Sequence, residues 1–422
     1  MESTGLYSTT QHAYRKVRSV STALIELDTI VKHQLNLGKT VAIVTTDISA
    51  GFNLVSKEIL IPKMEKFGFG EMSCKLLENY LTRRRTQVKI KNVKSGEIVL
   101  DTGVGEGSVL GPTFFSCGMT DVSVVAKRVM QALEDTHNFK VYITQIEYAD
   151  DCTGVVAADT EDELQVAVDE LLKGFSSFYS ANGLKLNEKK CHVLVIRPKK
   201  KVKTITLAGQ DEVPWLRLLG LFIDNKLTYE KHTQVVCGRL TAKIKALEKL
   251  KNKASYKTLK EVTVSLVHST IEFCGELYLR TFKNQKAVQK KLNSAMRMLQ
   301  DPEDYEASCT QMMWELRWLN VSNMWRWCSI RTFKRILGKP DQVPFLYSLV
   351  NLNTDTHYRV RYNALKTRWR KLTRWARESF LFTVTQLYNN LGLHGRLFAD
   401  YEDMRDQIKS KIITSFGNRN LK

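Results

Sequence analysis

"QIEYADDCTGVV", residues 145 to 156, sets two adjacent acids between two β-rich arms. The arms alternate and the chain must reverse at Tyr148-Ala149-Asp150-Asp151, so the stretch reads as a half-buried hairpin with Asp150 and Asp151 at its tip. Neighbouring side chains on a regular strand face opposite ways, so both acids approach one site only if the backbone bends there. An Asp-Asp pair by itself is more often a solvated turn, and the surroundings decide its meaning.

Upstream, "TVAIVTTDISAGF" (40 to 52) is rich in β-branched residues and reaches an acid, which reads as a buried strand with Asp47 near its C-terminal end. Carboxylates converging from two strand ends repel one another and raise their own pKa values unless a divalent cation lies among them. Oxygen ligands suit Mg²⁺, with Mn²⁺ as the alternative ion. Two such ions, roughly 3.5–4 Å apart, can activate a 3′-hydroxyl and clamp an in-line displacement at phosphorus.

Composition agrees with that chemistry. The 422 residues carry 64 Lys and Arg against 44 Asp and Glu, a net charge of +20, which points to a polyanionic partner such as nucleic acid. With 43% hydrophobic residues the chain can build a core and is not disordered. The eight cysteines form no C-x-x-C pair, which argues against a zinc finger or a disulfide framework and for reduced thiols. No run approaches the roughly 20 apolar residues that span a bilayer, and the start "MESTGLYSTTQHAYRK" has no apolar signal core. The expected compartment is the nucleus or cytoplasm, without secretion or membrane insertion.

Between the acid-bearing segments the periodicity changes repeatedly. Val55, Ile59, Leu60 and Met64 follow a helical spacing, and "MSCKLLENYL" (72 to 81) continues as a second helix. "TQVKIK" and "EIVLDTGV" alternate about Gly96 as a hairpin leading into the glycine-rich "GVGEGSVLGP" (103 to 112), after which "TFFSCGMTDVSVVAKRVMQAL" reads as helical. Thr160 and Glu163 form a capping-box pattern for a helix whose apolar face is Leu164, Val168, Leu171, Leu172, Phe175 and Tyr179. "LRLLGLFID" looks like a strand, residues 230 to 251 an amphipathic basic helix, and helical patterns dominate from about residue 256.

The order of these motifs resembles that of reverse transcriptases from non-LTR (LINE-type, jockey-like) retrotransposons. "QHAYRKVRSVSTAL" (11 to 24) resembles the family's Q-x-x-[FY]-R-x-x-R-S segment, and "TTDISAGFNLV" its D-x-S-x-A-F-D motif, with Gly51 and Asn53 as departures. "GVGEGSVLGP" is similar to G-x-x-Q-G-S-x-L-G-P, with Glu106 where the family has Gln; an amide donates hydrogen bonds that a carboxylate cannot. "YADD" matches the family's best-known signature, "GLKLNEKKC" (183 to 191) resembles G-L-x-L-N-x-x-K, and "LGLFIDNKLTYEKH" (219 to 232) resembles the primer grip.

The resemblance implies an α+β right-hand polymerase with an antiparallel palm sheet and a helical C-terminal region. It implies Asp47, Asp150 and Asp151 as catalytic metal ligands. Ile48, Phe52, Glu106, Gly107 and Lys190 would meet the nucleotide, Phe52 excluding a 2′-hydroxyl and Lys190 facing the departing pyrophosphate. Leu219 and Gly220 would grip the primer. The implied partners are an RNA template, a DNA primer and dNTPs, and the implied activity is RNA-directed DNA polymerisation.

Three regions are expected: partial fingers and palm over 1–215, primer grip and thumb over 216–300, and a helical region over 301–422. Only ten residues precede the first matching segment, so the chain reads as an N-terminally truncated member. The alternative is a catalytically inactive retroelement remnant that binds nucleic acid, for which the basic, Trp-bearing "KTRWRKLTRWARES" (366 to 379) offers a surface.

Overall fold

The computed structural model describes residues 7–48, 51–105, 107–198, 203–300, 307–352, 365–367, 373–391 and 401–416. The chain forms two compact units, one made of Met1–Ala23 with Leu37–Pro214, the other of Leu24–Asn36 with Trp215–Lys422.

The first unit is built on a four-stranded sheet of β1 (Thr40–Thr46), β2 (Tyr142–Tyr148), β3 (Asp151–Ala158) and β4 (His192–Ile196). The spatial order is β2-β3-β1-β4 and every pairing is antiparallel, as expected for a palm sheet. Val41, Ala42, Ile43 and Val44 are all buried, so β1 is a continuous apolar strand covered on both faces rather than an alternating one. Each Val or Ile among them contributes roughly 1.5–3 kcal/mol on removal from water.

One cover is the helix Glu161–Ala181, whose stripe Leu164, Val168, Leu171, Phe175 and Tyr179 is fully buried. Its start is the capping box the sequence predicts: the Thr160 side chain accepts from the Glu163 amide while the Glu163 carboxylate accepts from the Thr160 amide. Gly154 lets this helix close on β3, since a Cβ there would lie 2.6 Å from Leu171 Cδ2.

Within this unit two expectations change. The apolar stretch after the glycine-rich turn is not one helix but Gly111–Gly118, a 3₁₀ turn Thr120–Val124 and Val125–His137. The break falls at Gly118-Met119-Thr120, where Gly disfavours helix and the Thr120 hydroxyl donates back to the Ser116 carbonyl. The hairpin after residue 83 pairs Arg84–Thr86 with Ile98–Leu100 and Lys89–Ile90 with Val93–Lys94. Its alternation suggests one buried face, yet Val88, Ile90, Val93 and Ile98 are all exposed.

The second unit opens with a hairpin of Trp215–Leu218 and Leu221–Asp224, where the sequence suggests a single strand. The reversal at Leu219 and Gly220 has φ of 47° and 89°, the two positive values a type I′ turn needs. Asp224 then organises the next bend, its carboxylate accepting from the amides of Lys226, Thr228 and Tyr229, before the helix Glu230–Glu248 begins. Within this unit Lys32 is wholly buried, bonded to Asp28 at 2.7 Å and to the Glu378 carbonyl at 2.9 Å, while the Tyr229 hydroxyl donates to Asp28 at 2.8 Å. Long helices such as Phe282–Leu299 and Val321–Gly338 supply the rest of its core. Among the described residues no helix is long and apolar enough to cross a membrane.

Candidate active site

Asp47 follows the last residue of β1, where the run of β-branched residues ends and the ladder stops. The register pairs Thr46 with Cys152, so one further step along both strands brings Asp47 opposite Asp151. Asp150 occupies the second position of the two-residue β2–β3 turn, which Ala149 enters with φ of 56°. The three acids therefore meet at one end of the sheet.

The electrostatics record that meeting. The Asp151 carboxyl is pushed up to about 6, by partial desolvation first and then by the negative charges of Asp150 and Asp47. Tyr14 is likewise raised, by partial burial first and then by Asp150 and Tyr148. Among the described residues no group of three or more His, Cys, Asp or Glu forms a ready metal shell. The donor chemistry nonetheless fits a hard divalent cation, because mutual repulsion among carboxylates is what such an ion relieves.

A cation of the protein's own is present. Lys190 Nζ lies 3.3 Å from Asp47 Oδ2, on a 3₁₀ turn Glu188–Lys190. That turn is tied to the end of β1 by the Asn187 amide donating to the Asp47 carbonyl at 2.9 Å and by a bridge between Ile48 and Leu186. Ile48 itself is buried.

Phe52 is half-buried in the short helix Gly51–Leu54 and stacks on Phe115, ring centroids 4.5 Å apart and planes within 10°. Gly51 lies beneath the acids: a Cβ there would be 3.2 Å from the Phe115 ring and 3.7 Å from Asp150 Cβ. The glycine-rich turn is bonded to the same helix through the Val104 amide on the Phe52 carbonyl and the Gly103 amide on the Val55 carbonyl, at 2.8 and 2.7 Å. Ser108 closes the turn, its hydroxyl donating to the Gly105 carbonyl and accepting from the Gly111 amide. Gly107 has φ of 79° and open space where a Cβ would point. Glu106 lies outside the described residues.

The structure thus brings together Asp47, Asp150, Asp151 and Lys190, with Phe52 and the glycine turn joined by backbone bonds to one another. Leu219 and Gly220 belong to the second unit, at the hairpin tip described above, where Gly220 packs against the Phe273 ring. His232 is fully buried there, accepting from the Phe222 amide and packing edge-on to Tyr278, with burial holding its pKa down to about 4.

The sequence assigns no role to two residues of the first unit: Gln11, which opens the Q-x-x-[FY]-R-x-x-R-S segment, and Glu147. The buried Gln11 side chain bonds both backbone groups of Ala149. Glu147, one strand position earlier than the signature, is buried and accepts from Ser8, Thr10 and Gln145, while desolvation pushes its carboxyl up to about 7. An acid inside a β-rich arm whose other residues carry no charge is the one local signal that could have pointed to it.

The comparisons with known proteins follow the same lines. The reverse transcriptase (RNA-dependent DNA polymerase) family model matches residues 1–221. The chain is 26% identical over 280 residues to the probable RNA-directed DNA polymerase from transposon BS of Drosophila melanogaster, covering 63% of this chain and 29% of the relative. It is 26% identical over 200 residues to the retrovirus-related Pol polyprotein from type-2 retrotransposable element R2DM of the same organism, covering 45% and 18%. The chain therefore spans less than a third of the length of these relatives. Among solved structures, telomerase from Candida Tropicalis in complex with a fragment of telomeric RNA aligns with a TM-score of 0.38 at 11% identity, covering 81% of this chain and 53% of that one.

Proposed function

The chain belongs to the reverse transcriptase (RNA-dependent DNA polymerase) family, and on that premise we propose that it extends a DNA primer along an RNA template, as a non-LTR retroelement polymerase does. The observation that carries the reading is the position of Asp47 one step past the Thr46–Cys152 pair, with the Asp151 carboxyl raised by partial desolvation and then by the charges of Asp150 and Asp47.

Family members depend on divalent metal, and in this reading Asp47, Asp150 and Asp151 hold Mg²⁺, with Mn²⁺ as the alternative. Bound there, the ions would supply Lewis-acid activation of the primer's 3′-hydroxyl and neutralisation of charge on the leaving pyrophosphate. The chain's own groups do the rest. Lys190 holds a proton at Nζ that can pass to the leaving oxygen, and its bond to Asp47 keeps it within reach of the site. Phe52, braced by Phe115, presents a flat ring where a 2′-hydroxyl would have to fit. The turn at 103–111, with Gly107, would lie against the nucleotide together with Ile48; Glu106, the remaining contact the resemblance implies, lies outside the described residues.

By the same reading the first unit is partial fingers and palm. The Trp215–Asp224 hairpin, with Leu219 and Gly220 at its tip, is the primer grip, and the helices beyond it are thumb and C-terminal region. The partners are template RNA, primer DNA and dNTPs, and the net charge of +20 suits all three.

The deciding experiment is extension of a DNA primer on an RNA template with Mg²⁺, using Asp150→Asn as the control. Extension abolished by the substitution supports the enzyme. No extension by the wild type, alongside tight salt-sensitive binding of the same duplex, would replace it with the nucleic-acid-binding remnant.

A further inference from the structure

We propose that Gln11 is a positioning residue for this reaction: its side-chain amide fixes the peptide unit that carries Asp150 and so aims that carboxylate. The inference rests on the polymerase reading above and adds a residue with no assigned part in it.

In an ordinary two-residue hairpin turn the polar groups of the tip face water and are free to rock. Here one side chain takes both groups of Ala149. Gln11 Oε1 accepts from the Ala149 amide at 2.9 Å and Nε2 donates to the Ala149 carbonyl at 3.3 Å. The same Oε1 accepts from the Ala13 amide at 2.9 Å, so the Gln11 amide is itself held. Gln11 is buried, and its bonds to the half-buried Ala149 are partly shielded from water.

The support behind Gln11 is equally fixed. The His12 amide donates to the Glu147 carbonyl at 2.8 Å and the Glu147 amide to the Thr10 carbonyl at 3.0 Å, which adds this segment to β2 as a short parallel neighbour. The Arg18 guanidinium donates to the carbonyls of Thr9 and Gln11 at 2.6 and 2.9 Å. The clamp is thus anchored to strand backbone on one side and to a buried arginine on the other.

The turn has a reason to need it. Ala149 occupies the left-handed region at φ 56°, which costs a residue with a Cβ roughly 1–2 kcal/mol. Net gains of about 1 kcal/mol per hydrogen bond from Gln11 are of the size that offsets this. A carboxylate displaced by even about 1 Å can lower turnover by roughly a hundredfold, so holding the two peptide planes that flank Ala149, the second of which carries Asp150, is enough to matter for rate while leaving the fold little changed.

The test uses the full chain and two variants. Gln11→Met keeps the volume and removes every side-chain bond; Gln11→Glu keeps the acceptor for the Ala149 amide and removes the donor. Amide hydrogen exchange at Ala149, followed by NMR without substrate, should speed up at least about tenfold in Gln11→Met and stay near wild type in Gln11→Glu. In primer extension, Gln11→Met should lower kcat by about 10- to 100-fold with KM for dNTP within about twofold, and melt within a few degrees of wild type. Unchanged exchange at Ala149 in Gln11→Met overturns the proposal, as does a fall in kcat that only tracks lost stability. A wild type that extends no primer would instead sink the polymerase reading, and the exchange measurement would still decide the clamp.

Discussion

The Lys190 ammonium and the Asp47 carboxylate, 143 positions apart in the chain, lie 3.3 Å from each other at the end of the sheet, both partly open to solvent. An exposed pair of this kind contributes about 0–1 kcal/mol to stability, which separates any catalytic role of Lys190 from a structural one. Lys190→Ala should leave the melting temperature within a few degrees and lower kcat by roughly a hundredfold if Lys190 delivers a proton to pyrophosphate. Single-turnover extension beside a thermal melt measures both, and an unchanged rate would remove Lys190 from the chemistry.

Glu147 links stability to pH. Its folded pKa is raised to about 7 from 4.5, so its contribution is fully present below about 4.5 and lost as pH rises through about 7. The size is on the order of 3 kcal/mol. Glu147→Gln should therefore flatten the decline in stability between pH 5 and pH 8 and melt higher than wild type at pH 8. His232 and His268, both held down to about 4 by burial, act in the opposite sense, losing stability as pH falls below about 6.5. Subtracting the wild-type and variant curves isolates Glu147, and parallel curves would refute its assignment.

Phe52 against Phe115 should control sugar choice. Phe52→Val removes the flat ring and should lower the preference for dNTP over rNTP by about 10- to 100-fold in kcat/KM. The loss of a stacked, half-buried ring costs on the order of 1–2 kcal/mol. Retained discrimination would move the sugar gate elsewhere.

Gly103 is fixed by a neighbour's backbone. With φ of 85° and a Cβ that would lie 2.6 Å from the Asn53 carbonyl oxygen, Gly103→Ala should destabilise by roughly 2–4 kcal/mol. The melting temperature should fall by several degrees, and extension should fall with it, because this residue joins the glycine turn to the Phe52 helix. A variant melting like wild type would show that the turn shifts freely.

The local devices of the first unit are legible in the sequence because each depends on residues a few positions apart. The β-branched run ending at Asp47, the reversal at Ala149-Asp150 and the Thr160–Glu163 capping box are all of this kind, and all three are present. The break at Gly118-Met119-Thr120 was also written locally, but the apolar run around it masked the signal.

The acids and the elements that carry them can be read along the chain, since propensity and alternation act within a few residues. It takes the folded chain to show that Gln11 holds a turn 138 positions away and that Glu147 is buried against Ser8 and Thr10. Folding likewise leaves the alternating residues Ile90 and Val93 facing solvent. The reason is physical: a hydrogen bond or a buried face depends on which distant segment closes over it, and closure is set by the packing of the whole sheet rather than by any neighbour in sequence.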